Sequence, residues 1–222
     1  MTVRPILVAI AGGSGAGKTT LARALVRQLQ PSAALILSED SYYRDNGADP
    51  GFDPALFNFD DVAAHDHALL ARHLEELKAG RAIERPDYCF VTHRRMAATS
   101  PMPPADFVLV EGIHILCSEA VHSLFDLRIY LDVPDDVRLA RRLLRDLRER
   151  GRSVEAVIEQ YLKTVRPMHY RHTEPTRFTA DLVILDDGRL EPASAAMDRL
   201  LAPAHARLLE IRAGLPGAAP AG

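Results

Sequence analysis

The run Gly12-Gly13-Ser14-Gly15-Ala16-Gly17-Lys18-Thr19 limits what this chain can fold into more than any other feature. It matches G-x-x-x-x-G-K-[ST] in full, after an apolar segment and before a helix-forming one. Glycines here let successive backbone N–H groups turn inward around a phosphate without side-chain obstruction. Lys18 supplies a point charge for the β- and γ-phosphates, and the Thr19 hydroxyl is placed to ligate Mg²⁺. Thr20 follows in the first turn of a helix whose dipole favours anions, which completes the expected nucleotide-binding set.

The rest of the pattern agrees with a strand feeding this loop and a helix leaving it. Short apolar runs at 6–11, 33–37, 107–110, 127–131 and 182–185 read as buried parallel strands. Helical periodicity covers 18–29, 62–78, 135–149, 154–170 and 193–212, the last expected to break at Pro203. This alternation predicts an α/β fold, a doubly wound parallel sheet of P-loop NTPase/kinase type with right-handed crossovers. One kinase domain over 1–213 accommodates it, and the tail at 214–222, rich in Gly, Ala and Pro, is expected to be disordered.

Residues 38–106 are too many for a simple crossover. They hold one helix, a Tyr/Phe/Val-rich stretch at 88–92, and Pro101, Pro103 and Pro104. An insert at about 44–105 is expected to cover the carboxyl edge of the sheet, where ligands bind in such folds. Its residues 96–104 lack the alternation of a return strand.

A formal charge of −3 gives no bulk electrostatic reason for a nucleic-acid or membrane partner. No apolar run approaches the roughly 18 residues needed to span a bilayer. Nothing in the first 30 residues reads as a signal peptide, and Cys89 and Cys117 have neither metal-ligand nor disulfide-framework spacing. A reduced, cytoplasmic setting is the expectation.

Glu111 ends the strand at 107–110, where its carboxylate is expected to hold Mg²⁺ directly or through water; a turn-capping acid is the alternative. The guanine-reading Asn-Lys-x-Asp is missing, which argues against a GTPase switch. Seven arginines between 138 and 152 face only Asp146 and Glu149, and this stretch is expected to form a lid at about 138–165. Leu139, Ala140, Leu143, Leu144 and Leu147 form its apolar stripe, with Arg138, Arg142 and Arg145 on the opposite side. From spacing alone that side is equally a solvated face or an anion-binding one.

Several motifs resemble the uridine kinase (uridine–cytidine kinase) family in order from about residue 6 to 184. They are Asp40-Ser41-Tyr42-Tyr43-Arg44, Phe57-Asn58-Phe59-Asp60, the run from Arg85 to His93, Arg150-Gly151-Arg152, and the run from Gln160 to Met168. The resemblance implies phosphorylation of uridine and cytidine at the 5′-hydroxyl by ATP, with GTP also possible. It makes Asp40 the general base; spacing alone equally allows a turn cap. It also implies that Asp60, Arg142 and Arg152 hold the ribose, and that Phe59, Tyr88, Phe90 and Ile113 form the base slot. His93 and Gln160 would read the base edge, Tyr43 would close over the substrate, and Arg145 and Arg150 would stabilise the transferring phosphate. Cys89 stands where the family usually has an acid. A homo-oligomer, a tetramer by resemblance, is expected. The alternatives are a sibling kinase for ribulose phosphate or pantothenate, and a nucleotide-binding module without turnover.

Overall fold

The computed structural model describes residues 4–188, except 48 and 55, and residues 193–215. In chain order the elements begin with β1 (Ile6–Ala11), α1 (Lys18–Gln28), β2 (Ala34–Ser38) and a 3-10 turn (Glu39–Tyr42). The insert holds α2 (His67–Lys78), β3 (Ile83–Cys89) and β4 (Arg94–Met102). Then come β5 (Phe107–Gly112), α3 (Glu119–His122), β6 (Leu127–Asp132) and α4 (Asp135–Glu149). After α4, α5 (Val154–Gln160) and α6 (Arg166–Met168) flank a π-helical turn, and β7 (Leu182–Leu185) and α7 (Ala193–Ala213) end the fold.

The main sheet is parallel, in the order β2-β5-β1-β6-β7. All six residues of β1 are buried because both faces of the sheet are covered. Ile6, Val8 and Ile10 enter one core with Leu21 and Leu25 of α1 and Leu201 and Leu208 of α7. Leu7, Ala9 and Ala11 enter the other with Leu70 and Leu74 of α2 and Val121 of α3. This two-residue alternation makes one strand the shared wall of two cores. The register sets Ile10 and Ser38 on either side of Glu111, so the carboxyl ends of β1, β5 and β2 come level at one edge.

Three local expectations need correction. The helix expected from residue 62 starts at His67, because Asp66 accepts the Leu69 N–H at 3.0 Å and caps it; Val62–Ala64 is a separate 3-10 turn. β4 is a nine-residue strand paired antiparallel with β3. Most of its side chains are solvent-exposed, so no buried face imposes alternation on the sequence. The expected break at Pro203 does not occur. Leu200, Leu201, Ala204 and Leu208 are buried in the first core, and that packing carries α7 through one missing N–H. The expected disorder of 214–222 falls, from residue 216 onward, outside the described residues.

The insert is anchored by Arg95. Its guanidinium donates to the backbone carbonyls of Tyr43 at 2.9 Å and Tyr42 at 3.3 Å, and to Asp66 at 3.2 Å. The β3–β4 hairpin is thereby tied to the turn that follows β2. Cys89 and Cys117 are free thiols. Among the described residues, no helix is long and apolar enough to cross a membrane.

Pro203 is exposed, so replacing it disturbs no packing. Pro203→Ala is expected to stabilise the chain by about 1–3 kcal/mol, read from denaturant unfolding. A lower stability would show that the helix is shaped around the proline.

Candidate active site

The phosphate loop is shaped by close approach. A Cβ on Gly15, at φ +83°, would come within 2.3 Å of the Arg138 carbonyl oxygen, and one on Gly13 would meet Arg138 Nη1 at 2.2 Å. Position 15 therefore requires glycine, whereas a side chain at 13 would have to displace the Arg138 guanidinium. The Ala16 N–H and the Lys18 ammonium both donate to the Gly13 carbonyl, at 3.1 Å each. Ser14, Gly15, Lys18 and Thr19 line a cavity of about 790 Å³. Gly12, Gly13, Ala16 and Gly17 shape the loop without lining that cavity, and Thr20 is exposed on α1 outside it.

Acids gather at the same edge. Glu111 is buried at the end of β5, where the Ser38 hydroxyl donates to its Oε1 at 2.7 Å. Asp40, in the 3-10 turn after β2, lines the cavity. Burial, with Glu111 and Glu39 nearby, pushes Asp40 up to about 6 against the pull of Lys18 and Arg150. Negative charge is therefore in excess where the Thr19 hydroxyl and the Glu111 carboxylate offer oxygen donors. This all-oxygen set fits Mg²⁺, a hard cation, better than a softer metal.

The lid turns α4 inside out. Arg138, Arg142 and Asp146 are buried, whereas Leu144 on the apolar stripe is 51% exposed. Asp146, wholly enclosed, lies 2.8 Å from Arg145, 3.6 Å from Arg152, and 3.7 Å from Arg142 and Arg150. One carboxylate thus faces four guanidiniums, and the surplus positive charge opens onto the cavity that Arg142, Arg145, Arg150 and Arg152 line. Arg138 does not join them; it donates to the Val133 carbonyl at 3.0 Å and pairs with Asp135. Asp146 was legible only as an acid four residues after Arg142, and its central position was not anticipated.

A polar network closes one side of the cavity. Arg142 donates to Ser14 Oγ at 2.7 Å and to Gln160 Oε1 at 2.9 Å, and Arg152 donates to the same amide oxygen. Gln160 Nε2 reaches Asp60 at 3.4 Å, and the Thr164 hydroxyl donates to Asp60 at 2.7 Å. Gln160 therefore sits with Asp60, Arg142 and Arg152, the residues expected at the ribose. Thr164 is a member that motif reading did not single out.

The other side is aromatic. Tyr43 packs against Tyr88 at 5.1 Å and edge-on to Phe59 and Phe90 at 6.0 Å each. His93, at the hairpin tip with φ +54°, stacks on Phe59 at 4.7 Å. Tyr43, Phe59, Phe90, His93 and Ile113 line the cavity, whereas Tyr88 backs Tyr43 and Phe90 from behind. The Cys89 thiol is held below its ordinary range by hydrogen bonds from Thr92 and the Val91 N–H.

A glycine cradle after a central strand, two acids across from it and an arginine lid define a P-loop kinase. The profile of the Phosphoribulokinase / Uridine kinase family matches residues 7–188. A uridine kinase of Brevibacillus brevis is 44% identical over 184 residues, covering 83% of this chain and 86% of that protein. A uridine kinase of Clostridium perfringens is 43% identical, covering 83% of this chain and 89% of that protein. Among solved structures, a putative fructose transport system kinase from Silicibacter superposes with a TM-score of 0.67 at 23% identity, covering 81% of this chain and 89% of that one. Phosphoribulokinase from Rhodobacter spheroides superposes at 0.60 and 17%, covering 82% of this chain and 70% of that one, which shows a shared fold. The chain belongs to the phosphoribulokinase/uridine kinase family.

Asp40 gives this site a cost that stability measurements can read. Its folded-state pKa near 6 lies above the ordinary carboxylate value, so the stability it contributes is full below that ordinary value and is lost as pH rises through 6. Shifts of this size correspond to at most about 3 kcal/mol, and water in the open cavity reduces that to roughly 1 kcal/mol. Asp40→Asn is expected to melt higher than the parent at neutral pH, with the advantage shrinking toward pH 4. An advantage that is constant with pH would mean that Asp40 is not strained by its neighbours.

Proposed function

We propose that this kinase phosphorylates uridine and cytidine at the 5′-hydroxyl, with ATP or GTP as donor and Mg²⁺ as cofactor, giving UMP and CMP. The observation that carries the reading is one cavity with three chemically distinct walls. Lys18 and the lid arginines suit a triphosphate, the Asp60–Gln160–Arg142–Arg152 network suits vicinal hydroxyls, and the recess of Phe59, Phe90 and His93 suits a flat base. Asp40 lies in the same cavity. The named uridine kinases of Brevibacillus and Clostridium, similar over most of their length, support the same reading.

In this mechanism Asp40 accepts the proton of the 5′-hydroxyl as its oxygen forms a bond to the terminal phosphorus. The bond from that phosphorus to the bridging oxygen breaks, and the nucleoside diphosphate departs. Burial and the neighbouring acids raise Asp40 to about 6, which still leaves it ionised at neutral pH, and because the transition state is loose its positioning matters more than its basicity. Thr19 and Glu111 would hold Mg²⁺, which supplies charge neutralisation on the phosphates. Lys18, Arg145 and Arg150 are placed to stabilise charge as it develops on the transferring group. Asp60 accepts from a ribose hydroxyl, with Arg142 and Arg152 donating and Gln160 bridging them. His93 can donate or accept at the base edge, so it suits both a 4-oxo and a 4-amino group.

Steady-state UMP formation tests these roles. Asp40→Asn is expected to lower kcat by about 10² to 10⁴-fold with little change in uridine KM. A loss smaller than about tenfold would remove Asp40 as the base. Arg145→Ala is expected to lower kcat far more than it raises KM; the reverse pattern would reassign it to binding.

A further inference from the structure

Behind the transfer site lies a group of ligating side chains that the proposed mechanism leaves without a task. Glu39, His65 and His67 are all buried, and one ligand atom from each lies within 4.8 Å of the others. Glu39 is fully enclosed: its Oε1 is 2.8 Å from His67 Nε2 and its Oε2 accepts the His114 N–H at 2.9 Å. A plain histidine–carboxylate pair would account for Glu39 and His67. It leaves His65 unexplained. That ring is 1% exposed, and neither of its nitrogens has a hydrogen-bond partner among the described residues. A buried polar group without a partner is costly and calls for one. Beside it, His114 is equally enclosed, its Nδ1 is also without a partner, and its ring stands edge-on to His65 at 5.6 Å.

We propose that Glu39, His65 and His67, with His114 beside them, form a structural site for a borderline divalent ion such as Zn²⁺, distinct from the oxygen-donor site for Mg²⁺. Imidazole nitrogens with one carboxylate select such an ion over Mg²⁺ or Ca²⁺. Metal–ligand bonds of about 2.0–2.1 Å in a tetrahedral site set ligand atoms about 3.3 Å apart, so modest side-chain rotations close the observed spacing. Burial lowers His65 and brings His114 down to about 3, which keeps both rings in the neutral form that ligates.

The location gives the ion a structural consequence. His65 forms an isolated β-bridge with Tyr43, and their rings pack at 4.2 Å. Glu39 directly precedes Asp40. An ion held here would clip the segment before α2 to the turn that carries both the proposed base and the aromatic wall.

The full chain, stripped with a chelator and returned to buffer containing excess Mg²⁺, is titrated with Zn²⁺. Retained zinc is measured after gel filtration, and thermal melts are recorded alongside. The proposal expects about one Zn²⁺ per chain, a higher melting midpoint, and with Co²⁺ in its place the strong visible absorption of a four-coordinate ion. His65→Phe keeps a ring against Tyr43 but cannot ligate; Glu39→Gln keeps the shape of the acid and serves if the first variant does not fold. Each is expected to weaken retention by at least about tenfold. No zinc on the parent chain, or equal retention by a folded variant, overturns the site. None of these readings depends on the identity of the phosphoryl acceptor.

Discussion

Burial takes Lys18 away from water and lowers its pKa, while Glu111, Asp40 and Glu39 oppose that shift. Three acids and one lysine meet because parallel strands end level: β1 delivers the phosphate loop, β5 delivers Glu111, and β2 runs into the turn with Glu39 and Asp40. The sheet register therefore fixes the charge constellation. A one-residue slip between β2 and β5 would set Ser38 and Glu111 on opposite faces of the sheet and leave the buried carboxylate without its hydroxyl donor. Local stability is given up to keep Asp40 ionisable beside two other acids, as is common at functional sites.

The lid reverses that polarity. Asp146 orders four arginines around itself and neutralises only part of their charge. Donors held in place before a substrate arrives need no reorganisation as charge develops on it. The acid-rich strand ends and the arginine-rich lid thus face one cavity from two sides, and an anionic phosphate bridged by cations complements both.

The sheet was readable because strands buried on both faces leave short, uninterrupted apolar runs, and the phosphate loop because its glycines include Gly15, which the backbone of Arg138 approaches closely. Other features follow from tertiary context that no local pattern carries. β4 shows no alternation because most of its side chains are exposed, and α7 passes Pro203 because packing outweighs one lost hydrogen bond. Helix α4 carries an ordinary amphipathic stripe, yet its charged side is the one enclosed, since Asp146 offsets the arginines there. Motif resemblance assembled most of the cavity-lining residues, but it could not tell that Tyr88 stands behind the wall or that Gln160 is engaged by Asp60, Arg142 and Arg152.

The central claim concerns the acceptor, and one assay addresses it most directly. Initial rates are measured with Mg²⁺ and ATP across uridine, cytidine, thymidine, adenosine, ribulose 5-phosphate and pantothenate. The account predicts turnover on uridine and cytidine alone: thymidine lacks the 2′-hydroxyl proposed to bind the Asp60 network, and a purine is a poor match for a pyrimidine-sized base slot. Turnover on ribulose 5-phosphate or pantothenate, with none on either pyrimidine nucleoside, would contradict it.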